Sequence, residues 1–151
     1  MAVWSERLAE LDIELPPVVP PLAAYIPAVQ TGSLVYTSGQ LPLVSGELTH
    51  TGKVGDDVTA DDATDAARLC ALNALAAVNS LVGIDSVKRV VKVVGFVASA
   101  PGFNGQPGVI NGASNVLGEI FGDAGKHARS AVGVSELPLN APVEVELIVE
   151  V

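Results

Sequence analysis

Basic residues are scarce in this chain: eight Lys and Arg stand against seventeen Asp and Glu among 151 residues, for a formal net charge of -9. Such a balance repels a polyanion unless the few cations cluster tightly, which disfavours a general nucleic-acid binder. The densest cationic run is Lys88, Arg89 and Lys92, and an unbroken strand would place Lys88 and Lys92 on one face with Arg89 on the other. A solvated or subunit-facing strand edge accounts for this trio better than an RNA contact. Cysteine is nearly absent as well. Cys70 stands alone, so no disulfide can close within the chain and no cysteine-rich metal site can form; among Ala and Leu neighbours it is expected to pack as a small hydrophobe. Aromatic residues make up 4% of the chain and hydrophobic residues 49%, so the core has to be built from Ala, Val and Leu rather than from stacked rings. No apolar run reaches the roughly eighteen residues that a membrane span needs. The opening MAVWSERLAELD carries acids and lacks the basic flank and apolar run of a secretory signal. A cytoplasmic soluble protein is the expectation.

What remains is enough for a single domain with a real core. A short helix is expected from Trp4 to Ile13, closed by ELPPVVPPL, where repeated proline removes amide donors and biases the preceding residues toward extended backbone. Residues 1–19 thus read as a lead-in and 20–151 as the domain. SLVYTSGQLPL is the first strong strand signal, with Thr31 and Gly32 as a turn before it and Gly39 as a point of close backbone approach or a bulge. Residues 44–57 read as loop.

Thr59 and Asp62 have capping-box spacing, and Asp61, Asp62 and Asp65 put negative charge in a first helical turn. From there Ala66, Leu69, Cys70, Asn73, Ala74, Ala77, Val78 and Leu81 recur at helical intervals as far as Gly83. VKRVVKVVGFVAS is β-prone, and PGFNGQPG is broken by glycine and proline. A second helix is expected from about Pro107 to Phe121, burying Val109, Ala113, Val116, Leu117 and Ile120. Arg129 to Leu137 reads as strand. After a LPLNAP turn, Val143, Val145, Leu147, Val149 and Val151 alternate with mostly acidic residues, the period of a strand with one buried face.

Two helices on one face of a mixed sheet account for this order, an α+β architecture. The opposite sheet face then lacks a cover within the chain, and burial against other subunits is the economical solution.

Period two sets Arg129, Ala131, Gly133 and Ser135 on one face of their strand, so the arginine looks along a row of small side chains. Its planar donor fork can hold a carboxylate bidentately. That carboxylate is either a ligand's or a protein's: if the last two strands pair, Glu144 or Glu146 would lie near Arg129. Tyr25, Ser38 and Asn111 are further polar groups that chemistry could recruit. Each also has a plain structural role to hand: a packing aromatic, a turn hydroxyl and a helix-end hydrogen bonder. His50 and His127 are isolated, with no metal-ligand spacing around them, and His127 reads first as a solvated loop residue. GFNGQPG lacks both the Lys-Ser/Thr pair of a P-loop and the dinucleotide-binding spacing.

TGSLVYTSGQLP, the ARS triplet at Ala128 to Ser130 and SELPLNAPVEVELI, in this order, resemble the reactive intermediate deaminase family (RidA, the broad YjgF-type group, also labelled endoribonuclease L-PSP) over roughly residues 20–151. The resemblance implies a chorismate-mutase-like α+β subunit assembled as a homotrimer, with ligand clefts between neighbours. It implies hydrolysis of a small 2-imino carboxylate, or its enamine tautomer, to a 2-oxo acid and ammonia, without metal or organic cofactor. Arg129 would then grip the substrate carboxylate and Glu144 would hold or polarise the attacking water. Tyr25, Ser38, Gly39 and Asn111 would line the pocket. A noncatalytic trimer that binds a small carboxylate metabolite or a protein partner is the alternative, and an endoribonuclease a third, weakened by the acidic balance. The sequence departs from the family pattern at His127, where proline is common, at Ala131, where cysteine is common, and in the long GFVASAPGFNGQPGVING connection.

Overall fold

A computed structural model describes residues 3–18 and 24–151. In chain order the elements are α1 (Trp4–Glu10), β1 (Ala28–Thr31), β2 (Leu34–Thr37), the two-residue strands β3 (Leu43–Val44) and β4 (Glu47–Leu48), α2 (Ala60–Val82), β5 (Arg89–Ala98), α3 (Gln106–Phe121), β6 (Ala128–Val134) and β7 (Val143–Glu150). The expected boundary between lead-in and domain, at residues 19 and 20, lies outside the described residues.

Five strands form one sheet in the order β1-β2-β7-β5-β6. The β5–β6 pair is parallel and the other pairs antiparallel, so the sheet is mixed. The parallel pair follows from α3, which carries the chain back across the sheet between those two strands, as a parallel crossover requires. SLVYTSGQLPL does contain a strand, and a further short strand, β1, precedes it across a tight turn at Gly32 and Ser33. The loop expected over 44–57 carries the small β3–β4 hairpin at its start.

α2 begins where its cap predicts: the Thr59 hydroxyl accepts from the Asp62 amide at 3.1 Å. It ends at Gly83, whose φ of 81° suits glycine and few other residues. Ala63, Ala66, Ala67, Ala71, Ala74 and Ala77 are buried along it, so this helix lies close against its neighbours. At Gly112 of α3 the approach is tightest, because any Cβ there would overlap the Thr64 carbonyl of α2. Val109, Ala113, Val116, Leu117 and Ile120 are all buried, as the helical period requires.

Val143, Val145, Leu147 and Val149 of β7 and Val90, Val93 and Val97 of β5 are buried on the helical face, with β7 against α2 and β5 against α3. The opposite face has no helix over it among the described residues. It carries Tyr36, Lys92, Val94, Phe96, Ser130, Val132, Glu144, Glu146 and Ile148, with Tyr36 40% and Val132 45% exposed. Arg89 does not lie on the face opposite Lys92, as an unbroken strand would have it. The register shifts between Val90 and Lys92, so Arg89 pairs with Glu150 and Lys92 with Ile148, and both cations lie on the open face. The irregularity absorbs one residue and reverses the parity of an unbroken strand.

α1 is bound to this body. Trp4 packs edge-on against Phe121 with ring centroids 5.0 Å apart, and its Nε1 donates to the Val87 carbonyl at 2.7 Å. The Ser5 amide and hydroxyl both donate to Asp85, at 2.8 and 2.6 Å, which holds that carboxyl below the usual range. Arg7 Nε donates to the Glu119 carbonyl at 3.0 Å.

Candidate functional site

Arg129 sits one residue into β6, the edge strand next to β5. Its backbone partner is Val93, a residue buried under the helices, so Arg129 projects to the helical side of the sheet. Ala131 and Gly133 follow on that side, opposite Gly95 and Val97. The expected row of small side chains is therefore present, and α3 runs over it.

Gly95 lets α3 lie this close, since a Cβ there would collide with Ile110. One residue on from Ile110, Asn111 accepts from Arg129 Nη1 through Oδ1 at 2.8 Å. Ser114, one turn further along the same helix face, accepts from the same nitrogen at 3.2 Å. Both acceptors are neutral, and among the described residues no carboxylate pairs with Arg129. The guanidinium is thus fixed in direction while its charge is left uncompensated. Its Nε–Nη2 edge, the one that suits bidentate carboxylate binding, makes no hydrogen bond within the described residues.

The glutamates expected beside Arg129 are elsewhere. β6 and β7 do not pair, because β5 lies between them. Glu144 stands opposite Phe96 and Glu146 opposite Val94, on the open face, whereas Arg129 is on the helical face. Chain adjacency suggested a hairpin, but the parallel β5–β6 pairing places β6 at the sheet edge.

Glu144 is instead gathered with the residues near β2. A Cβ at Gly39 would overlap the Glu144 carboxylate, so Gly39 is the residue that admits this side chain. Burial, and then the charge of Glu146, push the Glu144 carboxyl above the ordinary glutamate range. Gly39 also lines a cavity of about 110 Å³ with Tyr25, Pro27, Gln40, Leu41, Leu43 and Asn73. Tyr25 is 59% exposed at its rim. Ser38 has its hydroxyl donated to the Ile26 carbonyl at 2.6 Å and its amide to the Pro27 carbonyl at 2.7 Å, which pins the segment carrying Tyr25.

The six candidate residues therefore form two groups within one chain. Arg129 and Asn111 make one, at the β6 edge; Tyr25, Ser38, Gly39 and Glu144 make the other, around the end of β2 and the start of β7. Ser114 was not anticipated from the sequence, although its three-residue spacing from Asn111 places both on one helical face. Gln106 was missed too: its amide lies over Gly133, where it donates to the Ser99 hydroxyl at 3.1 Å and the Phe103 carbonyl at 2.8 Å. His127 is no solvated loop residue but a half-buried one with both ring nitrogens engaged. Among the described residues no group of three or more His, Cys, Asp or Glu is arranged to hold a metal ion. No helix among them is long and apolar enough to cross a membrane.

A five-stranded mixed sheet with two helices on one face matches a known class of protein. Residues 5–151 match the family described as "YjgF/chorismate_mutase-like, putative endoribonuclease", and the chain belongs to that family. It is 42% identical over 148 residues to Protein TCP17 of Trypanosoma cruzi, across 97% of this chain and 92% of that protein. It is 35% identical over 137 residues to a 2-iminobutanoate/2-iminopropanoate deaminase of Dermatophagoides farinae, across 88% of this chain and 91% of that one. The crystal structure of Atu1372 from Agrobacterium tumefaciens superposes with a TM-score of 0.91 at 47% identity, covering 99% of this chain and 92% of that chain.

Proposed function

We propose that the protein hydrolyses small 2-imino carboxylates, or their enamine tautomers, to 2-oxo acids and ammonia, in clefts formed between the subunits of a homotrimer. The observation that carries this reading is the state of Arg129: oriented by Asn111 and Ser114 through Nη1, unpaired with any carboxylate among the described residues, and beside Ala131 and Gly133. A small organic acid would complete its Nε–Nη2 edge. Similarity to a protein named for 2-iminobutanoate and 2-iminopropanoate, both small carboxylates, supports the substrate class.

The separation of the two residue groups supports the assembly. A site that needs Arg129 and Glu144 together is incomplete in one chain, because they occupy opposite faces of the sheet. A head-to-tail arrangement, in which the β6 edge of one copy meets the β2 end of the next, joins the groups and closes as a ring. It also covers the open sheet face.

In this reading Arg129 neutralises the carboxylate and fixes the imine carbon, so that catalysis is gained largely by positioning. A water oxygen attacks that carbon while the C=N π electrons move to nitrogen. Glu144 accepts the water proton and returns it to nitrogen; it then carries the carbinolamine hydroxyl proton to the amino group, so that the C–N bond breaks, ammonia leaves and the carbonyl forms. The raised pKa of Glu144 makes it a better base than an ordinary glutamate. Ammonia release from freshly generated 2-iminobutanoate tests the proposal: acceleration by the wild-type protein and its loss in Arg129→Ala are expected, and equal rates with and without protein contradict it. The family description also names an endoribonuclease. The net charge of -9 opposes a general RNA surface, and intact RNA after incubation with the purified protein is the expected result.

A further inference from the structure

The arginine's support does not end at α3. Ser114 Oγ lies 2.9 Å from His127 Nε2, and His127 Nδ1 lies 2.6 Å from the Gly125 carbonyl. A carbonyl can only accept, so Nδ1 carries the proton in that contact. In the neutral ring Nε2 is then an acceptor, and the Ser114 hydroxyl donates to it. That turns the serine's lone pairs toward Arg129 Nη1, 3.2 Å away. In that tautomer the chain runs in one sense: Arg129 donates to Ser114, Ser114 to His127, and His127 to the Gly125 backbone.

We infer that Ser114 and His127 are positioning residues for Arg129, holding the guanidinium so that its Nε–Nη2 edge faces the incoming carboxylate; this rests on the substrate class proposed above. Without His127 the Ser114 hydroxyl is free to rotate and can turn its own proton toward Nη1, removing the acceptor. Without Ser114, Nη1 keeps only Asn111, and rotation about that single bond swings the binding edge. Gly125 anchors the relay because it has no room to move: it is buried, and a Cβ there would press on the Leu117 carbonyl. His127 acts entirely through Ser114. Ser114 and His127 also line an open depression of about 510 Å³ with Gly118, Gly122, Asp123, Gly125 and Lys126, so neither is locked by core packing and the hydrogen bonds themselves set their orientation.

The test is a double-mutant cycle read in two ways, by the Kd of 2-oxobutanoate measured calorimetrically and by KM and kcat for 2-iminobutanoate. Ser114→Ala is expected to raise Kd and KM roughly five- to tenfold, less than the full loss of a hydrogen bond to a charged group because Asn111 still holds Nη1, with kcat nearly unchanged. Ser114→Thr, which keeps the hydroxyl, should restore most of the affinity. His127→Ala should raise Kd and KM by a smaller factor, and the double variant should be no weaker than Ser114→Ala alone, because one residue acts through the other. A merely structural role would lower thermal stability without this split or this non-additivity. If Arg129→Ala abolishes 2-oxobutanoate binding while Ser114→Ala and His127→Ala bind like the wild type, the positioning role is wrong and the carboxylate site stands. If Arg129→Ala also binds like the wild type, both are wrong.

Discussion

Arg129 Nη1 donates to Asn111 Oδ1 at 2.8 Å, a bond that joins the edge strand of the sheet to the helix lying over it. The contact gives the cation a direction without neutralising it. An ion pair in the same place would have consumed the fork that a ligand needs. The proposed function depends on that difference.

Arg129→Lys keeps the charge but not the planar pair of donors. Its kcat/KM for 2-iminobutanoate should fall by roughly two to three orders of magnitude, close to the loss in Arg129→Ala, since removal of a bidentate charge-assisted contact is worth several kcal/mol. Steady-state kinetics on the two variants checks this; a lysine variant near wild-type activity would show that charge alone suffices.

Glu144 has its carboxyl raised by burial and by Glu146, and this gives the pH dependence a sign. In the folded protein it holds its proton to higher pH than in the unfolded chain. Native stability therefore falls as pH rises from the unfolded glutamate value through the folded one, and the loss is complete above it. Glu144→Gln should remove that slope, matching the wild type at low pH and exceeding it above the window, in urea titrations across pH. As a base, Glu144 must be ionised, so wild-type activity should decline on acidification through a value above the ordinary glutamate range. The Gln variant should be nearly inactive throughout.

Gly39→Ala puts a methyl where the Glu144 carboxylate lies. That carboxylate ends a flexible side chain and can swing aside, so stability should change little while kcat for 2-iminobutanoate drops. Urea midpoints and kcat measured on the same preparation separate the two effects.

Gly112→Ala differs, because the added methyl meets the Thr64 backbone carbonyl. The α2–α3 contact must open, at a cost of about 1–3 kcal/mol. Asn111 and Ser114 flank this position, so carboxylate affinity should weaken along with stability, as denaturation and calorimetry on one sample would show.

Trp4 is the chain's sole tryptophan and reports on α1. Its hydrogen bond to Val87 and its contact with Phe121 tie that helix to the domain. Tryptophan fluorescence and far-ultraviolet circular dichroism should follow coincident urea transitions. An earlier fluorescence transition would mean that α1 detaches before the core unfolds.

The elements written in local period were legible from the sequence. The Thr59 cap, the buried stripe of α3 and the alternation of β7 each express a contact pattern within a few residues, and each is found where its spacing puts it. The two helices on one face followed from the order of those elements. What was not legible depended on partners far along the chain. The strand order that inserts β5 between β6 and β7 is fixed by the α3 crossover, so Glu144 could not be placed relative to Arg129 by adjacency. The irregularity between Val90 and Lys92 is invisible to a period-two reading and moves Arg89 to the other face. Arg129 could be singled out by its small neighbours Ala131 and Gly133. The Ser114–His127 relay could not, since it depends on α3 and the segment before β6 meeting in space.

Everything functional turns on the Nε–Nη2 edge of one guanidinium, and a crystal structure of the protein soaked with 2-oxobutanoate tests it most directly. The account predicts a homotrimer with the 2-oxobutanoate carboxylate held by Nε and Nη2 of Arg129, and Glu144 of an adjoining copy facing the carbonyl carbon. Arg129 closed in an ion pair with a protein carboxylate across the subunit boundary, with no 2-oxobutanoate beside it, would contradict the account.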